Sequence, residues 1–332
     1  MSSSKKQYEP PFTITPKILD LVSKITEFAT KLEMLEPKSI SPTLRKVNKI
    51  KTITGTLEIE GNTLGIEKVT AILEGKRVLG TTREIAEVQG AIKVYDELEN
   101  FDYKNIDHIL KAHKILMEQI LTKAGTFRTK DVGVGGSEGV VHVAPPSAQV
   151  PNLMSDLFSW LQNSDIHPLI KSSIFHYEFE FVHPFIDGNG RIGRLWQSLI
   201  LYSWKNIFSS IPVESVVRDA QESYYKALED SGSLGESTPF IEFMLEAILL
   251  TCQKTLSETQ NVPLIVPKNV PLKRWDQIIG LIQENKDITI EQIAHECDVS
   301  SKTIKRDIAK LKEDGKIKRV GSLKTGYWEI IE

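Results

Sequence analysis

The chain has 332 residues, of which 40% are hydrophobic and 26% are charged, and its formal net charge is −3. This composition is typical of a soluble globular protein with two or three domains. The net charge of the whole chain is too small to indicate binding to nucleic acid or membrane. No window approaches the roughly 18 consecutive apolar residues of a membrane span, so the sequence predicts a cytoplasmic protein without a membrane partner. The two cysteines, Cys252 and Cys297, form no CxxC pair and indicate neither a disulfide framework nor a thiolate metal site.

Helical patterns dominate the first part of the chain. Apolar residues recur at helical spacing over residues 18–28, 85–95 and 106–116, which predicts a mainly α fold. Ser41 and Pro42 form a typical helix start and predict a helix from Pro42 to about Gly55.

Residues 125–147 interrupt this helical pattern. Valine and glycine replace the helix formers, a Gly-Gly-Ser turn lies in the middle and Pro-Pro closes the segment. The segment is therefore predicted to be a β-hairpin, and helical spacing resumes after it at residues 153–161.

The last part of the chain has a different composition. Three prolines among polar residues predict a linker at 256–271, and residues 272–332 carry the pattern of a winged helix-turn-helix domain, with two short strands around Gly321 to Gly326. Residues 301–324 hold nine Lys or Arg against three Asp or Glu, so a phosphate-facing surface would be local to this domain. Ser301 is predicted to cap the recognition helix, and the candidate DNA-contacting residues are Lys302, Thr303, Lys305 and Arg306. The same fold also serves in protein contacts and dimerisation.

The densest cluster of chemically capable residues is HPFIDGNGRIGR, at 183–194. One interpretation uses the glycines alone, because Gly188, Gly190 and Gly193 match the dinucleotide-binding pattern G-x-G-x-x-G. That pattern requires a strand directly before it, and FEFV at 179–182 is the candidate strand.

A second interpretation uses every polar residue of the cluster. Glycines on either side of Asn189 lead into a helix expected to begin near Arg191, and such a backbone binds anions such as phosphate. Arg191 and Arg194 can add charge-assisted bonds to a polyphosphate. Asp187 would repel phosphate unless a divalent cation such as Mg²⁺ bridges them, and His183 can take a proton from an attacking hydroxyl. The cluster therefore predicts phosphoryl or nucleotidyl transfer.

The complete pattern His183-x-Phe185-x-Asp187-Gly188-Asn189-Gly190-Arg191-x-x-Arg194 resembles the Fic motif without a departure. PPFTIT, GTFR, APPSAQVPNLMSDLFSWL and FHYEFEFVHPF extend the resemblance over roughly residues 10–250. It implies a Fic-type helical core at 96–255 with the hairpin as its flap, preceded by an N-terminal helical region at 1–95. It also implies transfer of AMP from ATP to a hydroxyl of a target protein, which the flap would hold by strand addition.

The resemblance assigns a role to each residue of the motif. The implied roles are general base for His183, Mg²⁺ ligand for Asp187, anion cradle for Gly188, Asn189 and Gly190, phosphate contact for Arg191, γ-phosphate orientation for Arg194, and anchoring of the loop in the core for Phe185.

A second stretch, TLEIEGN at 56–62, resembles the inhibitory motif of Fic proteins, [S/T]-x-x-x-E-[G/N], through Thr56, Glu60 and Gly61. Glu60 at a helix end could form a bidentate ion pair with Arg194 and so withhold it from the γ-phosphate. Glu60 could instead position a water that removes AMP from a modified target. The apolar residues expected to dock the segment are Leu57, Ile59 and Leu64.

Three hypotheses remain open from the sequence. The first is an AMP transferase inhibited by Glu60, with ATP and a hydroxyl-bearing protein as partners. The second is a DNA-binding regulator whose core only senses a nucleotide. The third is a related transferase that moves phosphocholine, UMP or phosphate. A homodimer is compatible with both domains, although no residue indicates one.

Overall fold

Helices make up most of the described chain, as the apolar spacing predicted. The computed structural model describes residues 8–35, 42–136, 139–260, 274–297, 299–313, 316–321 and 326–330. The chain divides into two units, Met1–Leu264 and Ile265–Glu332. The helices of the first unit are α1 (Pro16–Leu35), α2 (Pro42–Ile59), α3 (Gly65–Leu73), α4 (Thr82–Asp96), α5 (Ile106–Met117), α6 (Val150–Asn163), α7 (Pro168–Val182), α8 (Asn189–Trp204), α9 (Val213–Asp219), α10 (Gln221–Leu234) and α11 (Thr238–Gln260). Among the described residues, no helix is both long and apolar enough to cross a membrane.

The central helix of the first unit is α7. It is buried on every side from Leu169 to Phe179 and packs against α6, α8 and α11, which explains why apolar residues cover all its faces. The segment FEFV at 179–182 lies in this helix and is not a strand. The dinucleotide-binding interpretation of Gly188, Gly190 and Gly193 is therefore wrong, since that pattern needs a strand before it.

Helix α2 is longer than predicted and continues past Gly55 to Ile59. Gly55 allows the backbones of α2 and α9 to touch, because a Cβ at this position would lie 2.9 Å from the carbonyl carbon of Glu214. The glycine is thus needed for helix packing and does not end the helix. Helix α4 passes through the predicted boundary at residue 95, and the regions on either side of it belong to one unit.

The hairpin is shorter than the predicted segment 125–147. Strands β1 (Gly133–Gly136) and β2 (Gly139–Val143) pair antiparallel, with an irregularity in register after Val134. Ser137 and Glu138, in the predicted turn, lie outside the described residues. Before β1, the backbone N–H of Arg128 donates to the carbonyl of Pro184, 2.8 Å away, and therefore pairs with the loop after α7 and not with the hairpin.

The second unit is the predicted winged helix-turn-helix. Its elements are α12 (Arg274–Glu284), α13 (Ile290–Glu296), α14 (Ser301–Glu313) and the antiparallel strands β3 (Ile317–Val320) and β4 (Tyr327–Ile330). Its core is built from isoleucines around one tryptophan and includes Ile278, Ile282, Ile293, Ile304, Ile308, Leu311 and Trp328. Residues 256–260 of the predicted linker lie in helix α11, which continues to Gln260. Residues 261–271 lie outside the described ranges.

The predicted cap of helix α14 is wrong by one residue. Ser301 is the first residue of the helix, and it is Ser300 whose hydroxyl accepts from the backbone N–H of Thr303, at 3.3 Å. Lys302, Lys305 and Arg306 are exposed, as predicted for the outer face of this helix. The Thr303 hydroxyl is within 2.9 Å of the Ser300 hydroxyl, so it belongs to the cap.

The packing of α4 on α5 gives a test of the fold. A Cβ at Gly90 would lie 2.2 Å from the carbonyl oxygen of Leu116, so Gly90→Ala forces the two helices apart. We expect it to lower the free energy of unfolding by about 1–3 kcal/mol, measured by urea denaturation. Gly232→Ala in α10 is the matched control, since its Cβ meets no atom within 4 Å. If both variants unfold at the wild-type midpoint, the helices do not pack this closely.

Candidate functional site

The candidate site lies on the loop that joins α7 to α8. His183 ends α7 in the left-handed conformation, with φ 47° and ψ 60°, and is the one residue other than glycine with positive φ in the described part of the chain. Gly188, with φ 84°, starts α8, so the helix begins at Asn189, two positions before the predicted Arg191. Backbone strain of this kind is retained where surrounding structure imposes it, which is typical of functional loops.

Asn189 fixes the shape of this loop. Its side-chain oxygen accepts from the Phe185 N–H at 2.8 Å, and its side-chain amide donates to the Phe185 carbonyl at 2.9 Å. The side chain is buried and bonds to Phe185 through both its oxygen and its nitrogen, so the backbone N–H is the group that Asn189 offers to an anion. The Gly188 N–H already donates to Asp187 Oδ1 at 2.6 Å, whereas the first N–H groups of α8, from Asn189 and Gly190, have no carbonyl partner within the helix and can bind an anion.

Arg128 supports the loop from the other side. Its buried guanidinium donates through Nε to the His183 carbonyl at 2.8 Å and through Nη2 to the Val182 carbonyl at 3.3 Å. The carbonyl oxygens at the end of α7 lack partners within the helix, so this arginine both satisfies them and fixes the backbone of the candidate base.

Phe185 lies in the core, as expected for an anchor, and stacks on His113 with ring centroids 3.7 Å apart. The Gly125 N–H donates to His113 Nδ1 at 2.8 Å, so the ring proton is on Nε2, which donates to the Asp187 carbonyl at 3.0 Å. Burial lowers the pKa of His113 to about 4, and the ring is therefore neutral at pH 7.

Asp187 is surrounded by arginines. Arg83 of α4 donates to its Oδ2 at 2.7 Å, and Arg191 donates to its Oδ1 at 3.0 Å. Glu87 lies between the same two arginines, 3.2 Å from Arg83 Nε and 3.3 Å from Arg191 Nη1. Arg83 and Glu87 were not predicted as site residues, although their spacing along α4 is that of a helical ion pair.

The donors at Asp187 fit a magnesium ion that also binds substrate phosphates. Among the described residues, no cluster of three or more His, Cys, Asp or Glu side chains could hold a metal ion without a substrate. A single, partly exposed carboxylate beside an anion-binding backbone is the arrangement that Mg²⁺ uses in nucleotide sites. Asp187 Oδ1 accepts from the Gly188 N–H and from Arg191, whereas Oδ2 accepts from Arg83, so a cation at Asp187 would compete with these donors for the carboxylate lone pairs.

Arg194 is buried and is held by the predicted inhibitory segment. Its Nη2 donates to Glu60 Oε1 at 2.6 Å and to the Thr56 carbonyl at 3.1 Å, and its Nε donates to the Thr56 hydroxyl at 2.9 Å. The expected bidentate pair is therefore wrong, because Glu60 accepts from Nη2 alone and Thr56 accepts from Nε and from the same Nη2. Gly61 has φ 85° and follows directly, which lets the chain turn after α2.

The Glu60 carboxylate lies against the backbone at the start of α8. A Cβ at Gly190 would be 2.3 Å from Glu60 Oε1, so only glycine allows Glu60 to sit this close. The docking residues of the segment, Leu57, Ile59 and Leu64, are buried as expected. The predicted inhibitory and phosphate-binding residues therefore meet in one place.

A further carboxyl group, Glu180, lies beneath the site. Its Oε2 is 3.9 Å from His183 Nδ1 and its Oε1 is 3.8 Å from His176 Nε2. Burial raises the pKa of Glu180 to about 8; the charge of Arg194 opposes this effect and the charge of Glu60 adds to it. The group is thus largely protonated at pH 7. Its place one helical turn before His183 is the sequence signal that could have identified it.

Comparison with known proteins identifies both units. The model of the Fic/DOC family matches residues 103–201, and the model of the DeoR-like helix-turn-helix domain matches residues 274–321. The protein adenylyltransferase Fic of Aedes aegypti is 27% identical over 73% of this chain and 48% of its own length. That of Drosophila ananassae is 28% identical over 75% of this chain and 52% of its own length. The chain thus spans about half the length of these curated relatives.

Solved structures give the same result. A Fic family protein from Desulfovibrio desulfuricans G20 is 39% identical, with a TM-score of 0.75 and 98% of both chains covered. Fic-1 from C. elegans is 26% identical, with a TM-score of 0.60, covering 74% of this chain and 72% of the other.

The protonated state of Glu180 predicts a pH dependence. Its folded pKa of about 8 exceeds the ordinary value of 4.5, so between these pH values the folded state binds more protons than the unfolded state. This group's contribution to the free energy of unfolding therefore falls as the pH rises from about 4.5 to about 8. Glu180→Gln removes that contribution, and its stability relative to wild type should increase from pH 5 to pH 8 by roughly 2–4 kcal/mol in urea denaturation. A difference that stays constant with pH would mean that the carboxyl is ionised in the folded protein.

Proposed function

Because the chain belongs to the Fic family, we propose that it is a protein adenylyltransferase that moves AMP from ATP to a hydroxyl of a target protein and is inhibited by Glu60. The observation that carries the proposal is the 2.6 Å contact between Glu60 and Arg194 at the end of an otherwise complete motif. The names of the curated relatives support the reaction class.

The site residues account for the chemistry of AMP transfer. The phosphates of ATP lie at the first backbone N–H groups of α8, from Asn189 and Gly190, where the start of the helix favours negative charge. The hydroxyl oxygen of the target attacks the α-phosphorus while the bond to the pyrophosphate oxygen breaks, and pyrophosphate leaves with that electron pair. His183 takes the hydroxyl proton. Arg128 and Asn189 act indirectly, because they hold the backbone of the loop in place.

Asp187 would hold Mg²⁺ together with the nucleotide phosphates. The ion would supply positive charge to the phosphates when it is bound. Arg191 forms ion pairs with Glu87 and Asp187, and these contacts hold its guanidinium beside the site of the phosphates. Displacing Arg83 from Asp187 would free one carboxylate oxygen for the ion.

Glu60 inhibits by occupying Arg194. A guanidinium whose Nε and Nη2 already donate to Thr56 and Glu60 cannot offer that edge to the γ-phosphate. ATP without that contact binds with its α-phosphate out of line for attack, and rate falls steeply with such misplacement. The flap formed by β1 and β2 would present the target segment by backbone pairing.

The proposal predicts activation by Glu60→Gly. Wild type, Glu60→Gly and the double variant Glu60→Gly/His183→Ala are incubated with Mg²⁺ and α-labelled ATP, and covalent AMP is followed by intact mass. A hydrogen bond to a charged group contributes about 1.5–3 kcal/mol, so the freed Arg194 should raise self-modification roughly 10- to 100-fold. The double variant should show none, because the base is missing.

The matched control is Glu67→Gly, which removes an exposed carboxylate from the neighbouring helix α3 and should leave the rate unchanged. Equal rates for wild type and Glu60→Gly would refute the inhibition. Full activity of the double variant would refute the role of His183.

A second function, DNA binding by the C-terminal unit, is favoured by the exposed basic face of α14. Lys302, Lys305 and Arg306 are exposed on this helix, and the unit matches a DeoR-like helix-turn-helix domain. Contacts of Lys and Arg with phosphates release counterions, so affinity should fall as salt rises.

The test is a fluorescence-anisotropy titration of a mixed-sequence DNA duplex at several salt concentrations. Replacing Lys305 and Arg306 by alanine should weaken binding uniformly and reduce the salt slope by about 1 for each lost phosphate contact. Lys226→Ala, which removes an exposed lysine of the first unit, should have no effect. Identical titrations for all three proteins would argue against DNA contact through α14.

A further inference from the structure

A pocket of about 300 Å³ lies between α2, α9 and α11, apart from the site described above. Helix α2 contributes Lys51 and Thr54, α9 contributes Ser215 and Arg218, and α11 contributes Lys254. This volume is at the lower end of the range for small-molecule sites. The pocket therefore has room for a small metabolite next to the helix that carries Thr56.

One polar atom of the pocket lacks a partner within the protein. Thr54 is 2% exposed, and its hydroxyl oxygen makes no hydrogen bond among the described residues. Thr251, which lines the same pocket, donates its hydroxyl to the Ala247 carbonyl at 2.7 Å. A threonine in these helices can therefore bond to a carbonyl of its own helix, and the Thr54 hydroxyl does not. A buried hydroxyl without a partner is unfavourable, and a bound ligand would supply the missing bond.

The charges of the pocket favour an anion. Lys51 pairs with Glu258 at 3.0 Å, and Arg218 pairs with Asp219 at 2.7 Å, so both lining carboxylates are already neutralised. Lys254 is exposed and has no ion pair among the residues that the structure describes. The lining carries three cations against two carboxylates, but Arg218 also pairs with Glu58 outside the lining, at 2.7 Å, so Lys254 is the cation that the described carboxylates leave to a ligand. Its charge, together with the hydroxyl donors, is the chemistry that binds phosphate groups.

We propose that this pocket binds a small phosphorylated metabolite, and, resting on the proposed function, that its occupancy releases Glu60 from Arg194. The ligand would accept from the Thr54 hydroxyl and from the side chains of Lys254 and Arg218.

Arg218 connects the pocket to the inhibitory segment. Its Nη1 donates to Glu58 at 2.7 Å, and the next helix, α10, holds the same end of α2 through Gln221, whose side-chain amide donates to the Ile59 carbonyl at 2.8 Å. Glu58 is two positions before Glu60. An anion that draws Arg218 into the pocket removes one of these restraints, so the end of α2 should open more often.

The first test measures binding of inorganic phosphate by calorimetry, with sodium chloride added to hold the ionic strength constant. The proteins are wild type, Thr54→Val, Lys254→Ala and Arg191→Ala, the last of which weakens the phosphate-binding loop before α8. We expect Thr54→Val and Lys254→Ala each to weaken phosphate binding at the pocket about tenfold, while Arg191→Ala retains it. If only Arg191→Ala loses the heat of binding, phosphate occupies the catalytic loop alone and the pocket site is refuted.

The second test measures amide hydrogen exchange at residues 56–60 with and without phosphate. Exchange should rise severalfold in wild type and in Arg191→Ala, and should not change in Thr54→Val. Unchanged exchange in wild type under saturating phosphate would refute the link to Glu60. The first test measures phosphate binding and the second measures backbone opening, and neither depends on AMP transfer. The pocket proposal can therefore be judged even if the protein proves to have no AMP transferase activity.

Discussion

The position of the end of helix α2 depends on one buried arginine. Arg194 lies within the first unit, where an unpaired charge would be very costly, and all its described hydrogen bonds go to Thr56 and Glu60. Helix α2 must therefore end where it does, with the hydroxyl, a carbonyl and the carboxylate directed at one guanidinium. The close packing of α2 on α9 at Gly55 makes this position possible.

The proposed inhibition and the proposed catalysis involve the same space. Glu60 lies next to Gly190, in the backbone that would cradle phosphates, and its charge also helps keep Glu180 protonated beside His183. Removal of Glu60 would change three things together: the freedom of Arg194, the room beside the cradle and the ionisation of Glu180. A single carboxylate can thus switch the site because the groups around it are buried and close enough to respond to its charge.

The loop between α7 and α8 is held in place by contacts on several sides. Its backbone is fixed by Asn189 from within, by Arg128 at the end of α7 and by the stacking of Phe185 on a neutral His113. Such support costs nothing during the reaction because it is already in place before ATP binds. The variable part is therefore the access of Arg194 and Asp187 to the nucleotide, since both are occupied by side chains of the N-terminal helices.

The sequence predicted the parts that are encoded locally. The helix signals, the winged helix and the motif at 183–194 depend on residues close in the chain, and the second motif placed Glu60 against Arg194 because its spacing is specific. Long-range partners were missed: Arg83 reaches Asp187 across 104 positions, and nothing near either residue indicates the pair. The bidentate geometry was also wrong, since the share taken by Thr56 depends on how α2 approaches α8. Ser300, and not Ser301, caps α14 because helix ends are determined by backbone geometry to within a residue or two.

The central claim is that Glu60 withholds Arg194 from the γ-phosphate. The most direct measurement compares the affinities of ATP and ADP for wild type and Glu60→Gly, by calorimetry with Mg²⁺ present. We expect similar affinities for the two nucleotides in wild type and a clear preference for ATP in Glu60→Gly, because only the freed guanidinium can bind the additional phosphate. An equal preference for ATP in both proteins would contradict it.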